Sequence, residues 1–313
     1  MKSTQVNFLL VLLASIARLS SASGQWANVA DSGTLPHGTG FASQYVADAE
    51  ISRNANVIFA EDFERADYQQ NWREVRDDGE VLELVPAPNS DKRGQAAPVG
   101  RQALQVTASL SKNTGGGMTT WFESNPTLFI RFYVRFDKQI DYVHHFCTLR
   151  ANKATHGSGA WSGFGGAGLI PKGDERFSTA LEPWGDWGNN PPPGKWNFYS
   201  YWHEMQASPD GKYWGNSFAV ANQPPIAKEQ WICAEFMLKH NTPGQPDGEQ
   251  AWWIDGQLIG HFTGINWRTS DDLWANAFTL ESYITDRWTK HETNRVWFDN
   301  VVIARDYIGP AGK

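Results

Sequence analysis

The chain has 313 residues, of which 34 are acidic and 27 basic, giving a formal net charge of −7. That balance excludes a general nucleic-acid binder and a protein held by anionic membranes, since both need a basic footprint. Aromatics reach 13%, including 16 Trp, and this excludes disorder as the main state of a chain long enough to bury a large core. With 29 Gly and 16 Pro, so much tryptophan favours an all-β fold with sugar-facing platforms.

The first segment reads as an address. Lys2 gives a positive start, Phe8 to Ala17 is a short apolar run, and Ala22-Ser23-Gly24 suits a cleavage site. The run is too short to span a bilayer, so residues 1–24 are expected to be a secretory signal peptide. The mature protein is then exported, either secreted or periplasmic, soluble and monomeric, with no membrane or nucleic-acid partner. Residues 25–54 are small and polar and are expected to form a loose N-terminal arm or linker. Residues 55–313 are expected to form one domain.

From Val57 onward the pattern is strands. Leu128, Ile130, Phe132, Val134 and Phe136 alternate with Phe129, Arg131, Tyr133 and Arg135, a period of two. Trp196–Met205, Trp231–Lys239 and Arg295–Arg305 read the same way. Ala251–Gly260 reads as a hairpin with Asp255-Gly256 at its tip. Helical periodicity is nearly absent, and the loops around His156–Gly168 and Gly185–Gly194 are rich in Gly or Pro. An antiparallel two-sheet jelly-roll sandwich fits this pattern. Cys147 and Cys233 can pair in an oxidising compartment or stand as separate buried thiols. Two cysteines make neither a disulfide scaffold nor a four-thiolate zinc site.

Val57–Glu64 and Val296–Ile303 resemble the paired terminal strands of concanavalin-A-like jelly rolls. Leu238–Gly248, with its Asn241-Thr-Pro-Gly244 turn, followed by Trp253–Gly256, resembles polysaccharide lyases that cleave alginate and glucuronan. Phe177-Ser178, with Tyr199-Ser200-Tyr201 downstream, is similar to their active-site strands. The resemblance covers roughly 57–310. It implies a secreted lyase that cleaves a uronate-containing glycan by β-elimination, with no cofactor required. One position departs from the pattern: where those lyases carry an Arg two residues after the Ser, this chain has Ala180, and Glu182 follows. The family's catalytic Lys finds its nearest match in Lys153.

β-Elimination at a uronate needs a cation or protonated donor to neutralise the carboxylate, a base for the C5 proton, and an acid for the leaving oxygen. Strand alternation places Tyr199, Tyr201 and His203 on one face, a set suited to proton transfer and sugar contact; the ordinary alternative is hydrogen bonding at a sandwich rim. His144, Phe146, Thr148 and Arg150 are expected to share a face, with His145 and Cys147 on the other, so a chelate by both His is not expected. Arg150, Lys153 or Arg176 are candidates to neutralise the carboxylate, with Ser178 beside them. Arg131, Tyr133 and Arg135 are a candidate cationic cleft wall, or else a solvated face. Trp184, Trp187 and Trp202 are candidate stacking platforms.

Gly163–Gly168 matches Gly-x-Gly-x-x-Gly, but without a βαβ unit it does not signal a nucleotide. Jelly rolls of this type often hold structural calcium near the terminal strands, and Glu61, Asp62 and Asp299 supply hard oxygens; capping of strand ends is the alternative. No Glu-x-Asp-x-x-Glu string marks a glucanase, and Glu235, Glu249, Glu281 and Glu292 are scattered. Three classes therefore stand: a polysaccharide lyase, a lectin-like carbohydrate-binding protein, and a glycoside hydrolase.

Overall fold

The computed structural model describes residues 35–88, 99–153 and 166–312. Fifteen strands follow in chain order among them. The first six are β1 (Val57–Glu61), β2 (Glu74–Arg76), β3 (Leu82–Pro86), β4 (Gln102–Ser109), β5 (Gly115–Trp121) and β6 (Thr127–Phe136). Then come β7 (Thr148–Asn152), β8 (Arg176–Trp184), β9 (Lys195–Tyr201), β10 (Asn216–Ala219) and β11 (Trp231–Lys239). The last four are β12 (Gly248–Ile254), β13 (Gln257–Ile265), β14 (Ala275–Tyr283) and β15 (Thr293–Ala304).

The strands form two antiparallel sheets. The first has the order β13-β12-β11-β6-β15-β4-β3, with β1 also on β15; the second has the order β10-β9-β8-β7-β14-β5-β2. This is the jelly-roll sandwich expected from the period-two pattern. The terminal strands pair as expected, with Glu61 opposite Val301. The Asp255-Gly256 tip joins β12 to β13, and both residues take positive φ, 51° and 78°. Such a two-residue turn follows the right-handed twist of the strands, and glycine adopts its positive φ without a Cβ clash.

The core lies between the sheets. Leu128, Ile130, Phe132, Val134 and Phe136 of β6 all point inward and are fully buried. They meet Leu149, Leu181, Phe198 and Phe278 from the second sheet in one apolar cluster. Each such side chain contributes about 1.5–3 kcal/mol by leaving water.

The first sheet is covered on its other face too. Residues 35–54, expected to be loose, pack there: Ala42 and Ile51 are buried against Phe129, Met237 and Trp253. Asp48 pairs with Arg131, both buried. Pro36 accepts a bond from the Trp253 indole at 2.8 Å. The C-terminal segment joins them, its Ile308 and Gly309 amides each donating to Glu235 at 2.8 Å. The centre of this face is therefore covered, while on the outer face of the second sheet Ser178, Tyr199 and Tyr201 stand partly exposed.

The cysteines are free, and both are buried. Cys147 belongs to the core between the sheets, whereas Cys233 packs with Tyr133 and Trp231 on the sealed face. The proposed signal peptide, residues 1–24, and the 163–165 part of the Gly-rich string lie outside the described residues.

Candidate functional site on the outer face of the second sheet

Strand register assembles the site. Thr148 of β7 stands opposite Ala180 of β8, which stands opposite Tyr199 of β9. One row along, Arg150 stands opposite Ser178, and Ser178 opposite Tyr201. On the far side of β7, Thr279 of β14 pairs with Thr148. Paired residues share a face, so these seven side chains lie on one surface. Ala180, the smallest of them, leaves a low point between Thr148 and Tyr199.

The two phenol oxygens, of Tyr199 and Tyr201, are 3.3 Å apart, and their rings meet edge to face. Gly215 makes room for Tyr199: a Cβ there would sit 2.5 Å from the ring. Burial pushes the Tyr199 phenol well above its ordinary range, and the neighbouring Tyr201 adds to the effect. Tyr199 therefore keeps its proton and can act as a donor.

His145 stands above this pair, its ring centroid 6.2 Å from that of Tyr199. Its Nδ1 is 3.9 Å from Oε2 of the buried Glu182. Burial works against the imidazolium, but the Glu182 carboxylate outweighs it and raises the His145 pKa. Burial likewise pushes Glu182 up. Glu281 on β14 is also buried, and burial raises it to about 7. His144 is 4.3 Å from His145, ring to ring, and its Nδ1 lies 3.0 Å from the Thr285 hydroxyl. Burial lowers His144 to about 4, with the charges of His145 and Arg287 adding to the effect. One ring thus favours its charged form and its neighbour the neutral form.

Three expectations about this surface are corrected. His144 and His145 do not diverge, because regular β7 begins only at Thr148; the preceding segment turns both rings toward Tyr283, while Phe146 enters the core. His203 does not join the tyrosines on their strand face, because β9 ends at Tyr201. It lies in a turn beside Glu204, Nε2 to Oε1 3.7 Å, and against Gly173. Arg131, Tyr133 and Arg135 do not wall this site, since β6 belongs to the first sheet. Arg131 is paired with Asp48, Tyr133 accepts the Ala311 amide at 3.0 Å, and Arg135 donates to the Glu229 carbonyl.

The other cations are held by partners. Arg150 is buried, donates to the Thr279 hydroxyl at 2.7 Å and lies over the Trp121 ring at 5.5 Å. Burial brings it down to about 10, with Glu74 and Glu281 opposing the fall. Lys153, one residue past β7, meets Asp272 at 2.7 Å. Arg176 opens β8 on the Ser178 side of the strand, donates to the Leu169 carbonyl at 3.1 Å and is close enough to Tyr201 for the two to interact electrostatically. Trp184 ends β8 and is half-buried, Trp187 is exposed, and Trp202 is fully buried in the core, so it offers no sugar platform.

Glu61, Asp62 and Asp299 do not converge as a metal site. Glu61 accepts from the Phe63 amide at 2.9 Å and from Asn71 at 3.1 Å. Asp299 accepts the Gly100 and Asn300 amides at 2.9 and 2.8 Å. Asp62 is exposed and accepts the Glu64 amide at 3.2 Å. Glu61 and Asp62 line a cavity of about 470 Å³ beside Asp48 and Tyr68, while Asp299 is not among its walls. Among the described residues no group of three or more His, Cys, Asp or Glu is placed to hold a metal ion.

Sequence reasoning placed Glu182 on this strand, as a carboxylate that would repel an anionic sugar, but missed its contact with His145, and it missed Glu281 as a member of this surface. Glu182 carried a signal, since it follows Ser178 and Ala180 at a spacing of two along one strand. Glu281 comes from a strand a hundred residues on, and only sheet order brings it near His145.

No protein-family profile and no curated protein sequence matches the chain. Solved structures do. An alginate lyase from a Chlorella virus superposes with a TM-score of 0.55 at 15% identity, covering 80% of this chain and 100% of its own. A marine alginate lyase from Aplysia kurodai gives 0.55 at 13% identity, covering 80% and 99%. The alginate lyase Aly36B, as a mutant in complex with alginate tetrasaccharide, gives 0.51 at 13% identity, covering 81% and 97%. At these identities the likeness is one of fold: this chain adopts the jelly-roll sandwich on which those alginate lyases are built.

Proposed function

We infer that the protein is a secreted polysaccharide lyase that cleaves a uronate-containing glycan by β-elimination. The observation that carries this reading is the pair of phenols 3.3 Å apart, in register with Ser178 and Arg150 and overlooked by His145. The fold neighbours, one of them holding alginate tetrasaccharide, support the substrate class.

A uronate lying over Ala180 has its carboxylate near His145, whose charged form Glu182 favours, while Arg176, at the start of β8, is the cation farther along the same strand face. These cations make the C5 proton acidic by stabilising charge as it develops on the carboxylate. Tyr201, acting as the phenolate and accepting the hydrogen bond from Tyr199, is the base that takes the C5 proton, and a proton passed back across the 3.3 Å contact afterwards resets the pair. The electron pair forms the C4–C5 double bond, the C4–O bond breaks, and the Tyr199 phenol protonates the leaving oxygen. Every step uses protein groups alone. Ala180 leaves the carboxylate to these flanking cations, where the related lyases have an Arg at that position.

The test is ultraviolet absorbance of the unsaturated uronate during incubation with alginate, glucuronan, pectate, hyaluronan and ulvan. A rise with one substrate, abolished in Tyr199→Phe, is the expected result. Reducing ends without unsaturation point instead to hydrolysis, with Glu182 and Glu281 as the carboxylates. Retention on an insoluble glycan with no product points to a binding protein, the reading that Ala180 favours.

A further inference from the structure

Trp187 is 74% exposed, in a chain that buries most of its large apolar side chains. Its backbone is in the left-handed region at φ 55°, and so is that of Asp186 at φ 47°. Two consecutive non-glycine residues in this region are strained, and together they hold the indole out in water. The ring is not alone. Trp288, from the turn after β14, meets it edge to face at 5.0 Å, and the Arg287 guanidinium lies 4.9 Å over the Trp288 ring.

Both turns are fixed. Tyr142 donates to the Asn190 carbonyl at 2.7 Å, and Asn190 donates back to Trp184 at 3.1 Å. Thr289 donates to the Tyr142 carbonyl, so one residue ties the two turns together. Gly185 lies flat on the Tyr142 ring, where a Cβ would come within 2.6 Å.

The platform is continuous with the candidate site. Thr285 bonds His144 through its hydroxyl, and its carbonyl accepts the Trp288 amide at 3.1 Å, closing the turn that carries Arg287. Trp184, at the end of the strand that bears Ser178, Ala180 and Glu182, leads directly into Trp187.

We propose that Trp187, Trp288 and Arg287 form an outlying sugar subsite that binds a pyranose ring of the same polyuronate chain, several residues from the bond at Tyr199. The exposed Trp187 indole offers an apolar surface of the size of a sugar face, Trp288 props it edge to face, and Arg287 offers a donor for that unit's carboxylate. This assignment rests on the surface binding a uronate polymer, and it makes the substrate a long chain cut internally.

The experiment uses the mature wild-type protein, Trp187→Ala and Arg287→Gln. Each is run by affinity electrophoresis through gels containing polyglucuronate, polymannuronate or polygalacturonate, or their carboxyl-reduced forms. The wild type is expected to be retarded in at least one polyuronate gel, and Trp187→Ala to lose about tenfold in apparent affinity with an unchanged melting temperature. Arg287→Gln is expected to weaken binding to the polyuronate and not to its reduced form. Where unsaturated product forms, Trp187→Ala raises KM for the polymer about tenfold and leaves kcat and the rate on a trisaccharide within about twofold. A wild type that is not retarded in any gel overturns the subsite, as does a Trp187→Ala protein that migrates and turns over like the wild type. Retardation that needs Trp187, with no unsaturated product from any polymer, keeps the subsite and removes the lyase reading.

Discussion

The phenol oxygens of Tyr199 and Tyr201 lie 3.3 Å apart on one strand face, with the Tyr199 ring seated against Gly215. A shared hydrogen bond of this kind lets one phenol gain a proton as the other gives one up. Removing either hydroxyl should therefore cost the reaction without costing the fold. Tyr199→Phe and Tyr201→Phe are each expected to lower the rate on the cleaved polymer by a hundredfold to ten-thousandfold, on the order seen for general acid–base groups. The melting temperature should stay near that of the wild type, because the ring remains. Full activity in both variants removes the pair from the site.

The contact between His145 and Glu182 sets a pH limit. Because Glu182 raises the His145 pKa, the imidazolium persists toward neutral pH and is lost as pH rises through the raised value. In Glu182→Gln the larger support is gone, only the charge of Glu281 still opposes burial, and His145 is pulled down. The alkaline limb of kcat/KM against pH is expected to move to lower pH in this variant. A limb that stays in place shows that His145 does not carry the charge the reaction needs.

Stability should fall on the alkaline side. Burial raises Glu281 from an unfolded value of 4.5 to about 7, so the fold favours its protonated form. Its contribution is complete below 4.5 and is lost as pH rises through about 7. Glu235, raised by burial to about 8, acts in the same direction. His240 works the other way: burial lowers it to about 4, so its contribution is complete above 6.5 and is lost as pH falls toward 4. A melting-temperature maximum on the acid side of neutrality is expected, with a shallower alkaline decline in Glu281→Gln, at about 2–4 °C per kcal/mol. An alkaline slope identical in wild type and variant contradicts the assignment to Glu281.

The pair between Asp48 and Arg131 joins the N-terminal segment to the centre of the first sheet, and both side chains are buried. Asp48→Ala leaves a guanidinium buried without its carboxylate. The expected loss is about 3–5 kcal/mol in urea unfolding, well beyond a surface ion pair. A loss below about 1 kcal/mol shows that the segment does not depend on the pair.

The alternation of Leu128–Phe136 and the Asp255-Gly256 tip were legible because strand period and turn chemistry are local, whereas the pairing of Val57–Glu61 with the last strand was legible only through the resemblance to concanavalin-A-like jelly rolls. Tyr199 and Tyr201 were legible as one face through strand period too, two residues apart on a regular strand. Alternation failed where regular structure stopped: at His144-His145, before β7 begins, and at His203, after β9 ends. It also could not say what covers a face, so Arg131 and Tyr133 read as a cleft wall when residues 35–54 and the C-terminal segment seal them over. The gathering of His145, Glu182 and Glu281, and of Trp187 with Trp288, depends on strand order across the sheet and on where two loops fold back. Those are contacts between residues distant along the chain, and only the tertiary structure decides them, because no period or spacing encodes which strand lies beside which.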